Sequence, residues 1–115
     1  MRIWDISPFY LCRQHLLGEH RELHAIWTVI TKKKKGYSKH PETIRWVGKL
    51  KALYVRHQEL VREMKKRGYV HRSDLFIRLA TGKKKQDKFI NTVNEQIEIL
   101  RKKKCLCFTH RIRIA

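Results

Sequence analysis

Apolar residues recur at Leu16, Leu23, Trp27 and Ile30, at intervals of seven, four and three, and this spacing predicts an amphipathic helix. Ser7-Pro8 offers a capping side chain followed by a proline suited to a first helical position, so this helix begins at about 8 or 13 and runs to 31. A polar stretch, KKKKGYSKHPE over 32–42, then breaks the periodicity at Gly36 and Pro41. A second apolar stripe at Leu50, Leu53, Tyr54, His57, Leu60, Val61 and Met64 predicts another helix, closed by Lys65, Lys66 and Arg67 and a left-handed cap at Gly68.

Beyond it the pattern weakens. The run from Leu75 to Ala80 fits either a short helical turn or a strand. Thr92-Val93-Asn94-Glu95 matches a capping box and predicts a third helix over about 93 to 103, with Ile97 and Leu100 facing inward. The tail CLCFTHRIRIA alternates apolar and polar positions from Leu106 to Ile114, which suits a short strand or an extended arm. The fold class is all-α: one small domain over 1–115, three helices and a basic C-terminal arm. Its 115 residues suffice for one modest core, in which Trp4, Trp27 and Trp46 are expected.

Charge changes the picture most. Against 28 Lys and Arg stand 10 Asp and Glu, a net charge of +18, which calls for a polyanionic partner, nucleic acid first. Asp5, Arg13 and Glu19 interrupt the apolar stretch near the start, so neither a membrane span nor a signal peptide is predicted, and the chain reads as soluble and cytoplasmic. The runs Lys32, Lys33, Lys34 and Lys35 with Tyr37, Lys39 and His40, then Lys83 to Lys85, and Lys102 to Lys104 with Arg111 and Arg113, supply phosphate partners. The three cysteines form neither a disulfide framework nor a CxxC pattern. Cys105 and Cys107 joining histidines around a metal is the minor reading beside small buried thiols, and no metal or cofactor is expected.

On the first helix, Gln14, Gly18, Arg21, Glu22 and Ala25 lie roughly opposite the apolar stripe. A helix-interior glycine costs about 1 kcal/mol relative to alanine, so Gly18 suggests close approach by a backbone or a ligand.

The run Gln14-His15-Leu16-Leu17-Gly18-Glu19-His20-Arg21-Glu22-Leu23 resembles the QHL-x-x-E-[YH]-R-E-L signature of the pyrimidine-dimer DNA glycosylases of the phage endonuclease V type. Lys65-Lys66-Arg67-Gly68-Tyr69 is similar to that family's end of helix two, and the likeness covers about residues 1 to 72, leaving 73–115 as a helix plus tail. The resemblance implies a helical DNA repair enzyme, a monomer at nucleoid DNA, that binds a damaged duplex, cleaves the glycosyl bond of a pyrimidine dimer and nicks the strand by β-elimination. It implies that the nucleophile is the α-amine of Met1 and the essential carboxylate Glu22. Arg2 and Arg21 match the family's arginines, and Gln14 and His15 match residues near the damaged backbone. Ala25 stands where the phage prototype has arginine, and the tail lacks its Trp and Tyr, so lesion preference differs.

The chemistry is reasonable on its own terms. Imine formation needs a neutral amine, and a terminal amine of pKa about 7.7 to 8.0 has a few hundredfold more free base near neutrality than a lysine of pKa about 10.4. About twelve residues at about 3.3 Å each can fold back the some 13 Å along a helix to Glu22. The competing class is a non-catalytic basic helical DNA-binding protein, which explains the charge and leaves the Glu22 motif unused.

Overall fold

The computed structural model describes residues 2–36, 38–71, 74–103 and 107. Ser7-Pro8 opens a single 3-10 turn, Pro8–Tyr10, and not the helix itself. The Ser7 side chain caps nothing, and Leu11 returns to extended backbone. Helix α1 then covers Arg13–Thr31, with Cys12 as its extended N-cap. It buries Leu16, Glu19, Leu23, Ile26, Trp27 and Val29, so the apolar stripe includes one carboxylate.

The lysine-rich connection does contain a helical turn, α2, Pro41–Ile44, which the broken periodicity concealed. Proline is pre-organised for a first helical position, and His40 caps the turn by accepting the Glu42 N–H at 3.1 Å.

Helix α3, Leu50–Lys66, packs against α1 through Leu53, His57, Leu60 and Met64. No side chain caps its start. Instead the Lys51 and Ala52 N–H groups donate to the Thr81 and Lys83 carbonyls at 2.8 and 3.1 Å, so a distant loop satisfies the exposed first turn. Gly82 makes this possible. Its φ is +85°, and a Cβ there would stand 2.1 Å from the Gly48 carbonyl oxygen. At the other end Gly68, at φ +89°, closes α3 as expected: Gly68 N–H donates to Lys65 O and Tyr69 N–H to Met64 O, and Tyr69 then packs on the core.

The ambiguous run from 75 to 80 is a 3-10 turn, Ile77–Leu79, anchored by buried Leu75. Helix α4, Val93–Lys102, carries the expected capping box, with Thr92 and Glu95 bonding each other's backbone N–H. Leu100 is buried and Ile97 packs partly on the core, but Gln96 is buried beside them. The all-α expectation holds: among the described residues there is no strand, only a bridge between Lys49 and Gly82. Trp4, Trp27 and Trp46 lie in the core. The expected strand or arm over 106–114 lies outside the described residues, apart from buried Cys107.

Candidate active site

The N-terminal segment is held along α1 by ionic anchors, not by apolar packing alone. Glu19, buried on the α1 face, accepts the Trp4 N–H at 3.1 Å and is gripped from α3 by Arg56, Nε to Oε2 at 2.6 Å and Nη2 to Oε1 at 3.0 Å. Arg56 also donates to the Ile6 carbonyl at 2.8 Å. Burial pushes the Glu19 carboxyl up from its ordinary range, against the opposing pull of the Arg56 guanidinium.

A second anchor comes from the residue that follows α2. Arg45 pairs with Asp5 at 3.1 Å and with Glu42, and donates to the Ile3 carbonyl at 2.8 Å. Glu42 also accepts the Trp46 indole N–H at 3.1 Å. From α4, Gln96 accepts the Asp5 N–H at 2.8 Å and donates to the Asp5 carboxylate at 3.0 Å. Arg2 reaches Asn91 Oδ1, with its guanidinium 4.8 Å above the Trp4 ring. The Ile3 and Ile6 carbonyls and the Trp4 and Asp5 N–H groups therefore meet charged or amide partners, which fix the path of the segment without a helix or strand.

Positions 15, 18 and 22 fall on one stripe of α1 at helical spacing. The Trp4 ring meets His15 edge-on at 5.8 Å, so the segment crosses the face that carries Glu22. Glu22 is half-buried and makes no hydrogen bond or ion pair among the described residues. Glu19 is thus the structural carboxylate and Glu22 the available one. A Cβ on Gly18 would meet nothing within 4 Å, so among the described residues no backbone approaches it, and the helix face one turn before Glu22 is open there.

The other expected residues divide by exposure. Gln14 and Arg21, seven apart, are exposed on the same side of α1, whereas Arg2 and Ala25 are half-buried. Lys32, Lys33, Lys34, Lys35 and Lys39 are all exposed, as are Lys83 to Lys85. Met1, Tyr37 and Cys105 lie outside the described residues.

His15 has close partners of its own. Its Nδ1 lies 3.0 Å from Cys12 Sγ and 3.3 Å from Cys107 Sγ, and the Cys12 N–H donates to Cys107 Sγ at 3.1 Å. Sequence distance had hidden this meeting of Cys12 and Cys107. Burial, with Lys103 nearby, lowers the His15 pKa. A second cluster joins His20 and His24 of α1 to His57 of α3 and to His71. Burial and the three neighbouring imidazoles push His20 down to about 4, so its ring is neutral. Only the i, i+4 spacing of His20 and His24 was visible in the sequence. The pairs Glu19–Arg56, Arg45–Asp5 and Gln96–Asp5 carried no local signal, because their members lie 37, 40 and 91 residues apart.

Against known proteins, a family model described as pyrimidine dimer DNA glycosylase matches residues 1–77. The chain belongs to that family. No curated protein and no solved structure matches it. Membership makes the chain a DNA repair glycosylase with DNA as substrate, in agreement with the charge of +18. Among the described residues, no helix is long and apolar enough to cross a membrane. The match contains the α1 motif and α3 but ends before Asn91 and Gln96, which also anchor the N-terminal segment.

Proposed function

We propose that this glycosylase acts on a pyrimidine dimer or a related damaged base in duplex DNA and then nicks the strand as an abasic-site lyase, with the α-amine of Met1 as nucleophile. The amine attacks C1′, and the glycosyl bond breaks with its electron pair leaving on the base. Opening of the sugar ring gives an imine. Loss of the C2′ proton to a base then expels the 3′ phosphate, and water hydrolyses the imine to free the amine. Glu22 supplies the carboxylate that stabilises the developing sugar cation and moves the C2′ proton.

One observation carries the reading: the Trp4 main chain is bonded to Glu19, and one helical turn further on Glu22 has no hydrogen bond or ion pair among the described residues. Three residues reach about 10 Å, more than the roughly 4.5 Å rise from position 19 to 22. Arg21 and Gln14, exposed on one side of α1, suit the damaged strand, with His15 and Arg2 nearer the N-terminal segment. The lysines of 32–35, Lys39 and Tyr37 suit flanking phosphates. A monomer working on nucleoid DNA in the cytoplasm completes the reading.

Borohydride trapping on a duplex with an abasic site tests it. The expected product is a covalent adduct whose sugar maps to the Met1 peptide, lost when the terminus is acetylated or extended by two or three residues, while duplex binding stays within a few fold. Sugar on a lysine peptide overturns the nucleophile. Tight binding with neither adduct nor nicking, on abasic or ultraviolet-irradiated DNA, supports a non-catalytic DNA-binding protein instead.

A further inference from the structure

We propose that His20, His24, His57 and His71 form a closed tetrahedral site for one divalent metal ion, zinc fitting it best, that clamps α1 to α3 and to the segment after α3.

The four imidazoles come from three places in the chain. His20 and His24 are one turn apart on α1, His57 faces them from α3, and His71 returns just beyond the Gly68 cap. One ligand atom from each ring lies within 4.8 Å of all the others. His20 Nε2 and His24 Nε2 stand 3.2 and 3.1 Å from His57 Nε2. A tetrahedral zinc with bonds of about 2.0–2.1 Å sets its nitrogens roughly 3.3–3.4 Å apart, close to these separations.

Hydrogen bonding alone accounts for this cluster poorly. His57 Nδ1 lies 2.8 Å from the Gln58 side-chain oxygen, which places its proton there and turns the Nε2 lone pair toward the ring nitrogens of His20 and His24. His71 is nearly buried, and its Nε2 is a buried polar atom with no hydrogen-bond partner. A cation at the centre takes all four lone pairs and removes that deficit. The outer contacts agree: the Gln58 oxygen orients His57, and the Asp74 carboxylate stands 3.5 Å from His71 Nδ1.

The donor set selects the ion. Four nitrogens without oxygen disfavour magnesium and calcium, and imidazole with tetrahedral geometry favours zinc among the transition metals. Four protein ligands leave no open position, so the ion acts structurally. His20 lies some 200° around α1 from Glu22, so the site stands apart from the proposed chemistry.

Zinc binding to the chelator-stripped full chain tests the proposal, beside X-ray absorption of the loaded protein. The expected result is one equivalent of zinc surrounded by nitrogen at about 2.0–2.1 Å, with no sulfur near about 2.3 Å. His71→Ala, on the connecting segment, should weaken zinc binding at least about tenfold with helical circular dichroism unchanged. Cys12→Ser should bind zinc as the wild type does, which separates this cluster from the thiols at His15. Failure to bind zinc, a sulfur shell around it, or loss of binding in Cys12→Ser with retention in His71→Ala overturns the proposal. The absorption measurement decides without any variant if His71→Ala does not fold.

Discussion

Arg56 holds the buried Glu19 carboxylate through two hydrogen bonds, at 2.6 and 3.0 Å, whereas Glu22, one turn along the same helix face, has no such partner among the described residues. Two glutamates three residues apart thus have separate duties. Glu19 completes the seat of the N-terminal segment, and Glu22 is the carboxylate proposed to meet substrate.

Glu22→Gln is expected to cost less than about 0.5 kcal/mol of stability, because among the described residues the native carboxylate makes no hydrogen bond or ion pair that the amide would break. Glycosylase and nicking activity should nevertheless fall by orders of magnitude while duplex binding persists. Thermal melting and a dimer-cleavage assay on one preparation check both halves, and wild-type turnover would remove Glu22 from the site.

Glu19→Gln should behave in the opposite sense. It leaves the Arg56 guanidinium buried without its counter-charge, and breaking one side of such a pair costs about 3–5 kcal/mol. Urea unfolding of the two variants side by side gives the comparison. A Glu19→Gln midpoint equal to that of the wild type would mean that the pair contributes nothing to the seat.

How much of this was readable in advance depended on distance along the chain. The three long helices were legible because an apolar stripe, a capping box at Thr92 and Glu95 and a left-handed glycine at 68 are local signals. The 3-10 turn at Pro8 imitates a helix start with the same two residues, Ser7 and Pro8, and α2 is too short to show a period. Glu22 was found by its motif, and its lack of a partner required the structure. Glu19 looked like one more polar residue in that motif until Arg56 was brought to it from 37 positions away. Gly18, expected to admit a neighbouring backbone or a ligand, meets no described backbone, so of the two only the ligand fits the open space there.

Gly82→Ala tests the loop that caps α3. Its φ of +85° and the 2.1 Å approach to Gly48 O both oppose a Cβ, and the strained conformation alone costs on the order of 1–3 kcal/mol. The substitution should lower the melting temperature and speed hydrogen exchange at the Lys51 and Ala52 amides, which depend on Thr81 and Lys83. Unchanged exchange there would show that the loop does not cap the helix.

Duplex affinity should fall by roughly a hundredfold or more between 50 and 200 mM salt if about five phosphates are neutralised. Fluorescence anisotropy across that range measures the slope, and Lys34→Ala should make it shallower by about one charge while single-turnover cleavage at saturation is kept. A flat response would assign the charge of +18 to another partner.

The seat of the N-terminal segment also sets an order of events during synthesis. Ile3, Asp5 and Ile6 leave the ribosome early, yet their anchors Arg45, Gln96 and Arg56 follow 42, 91 and 50 positions later respectively. At about 5–20 residues per second, the segment waits several seconds before Gln96 exists to receive it. Through that interval the Asp5 main chain and carboxylate lack the amide partner that α4 brings. A chain stopped before Asn91 would keep the whole family-matched stretch and still lack the Asn91 and Gln96 anchors, so the path of the first residues depends on a helix that lies beyond that stretch.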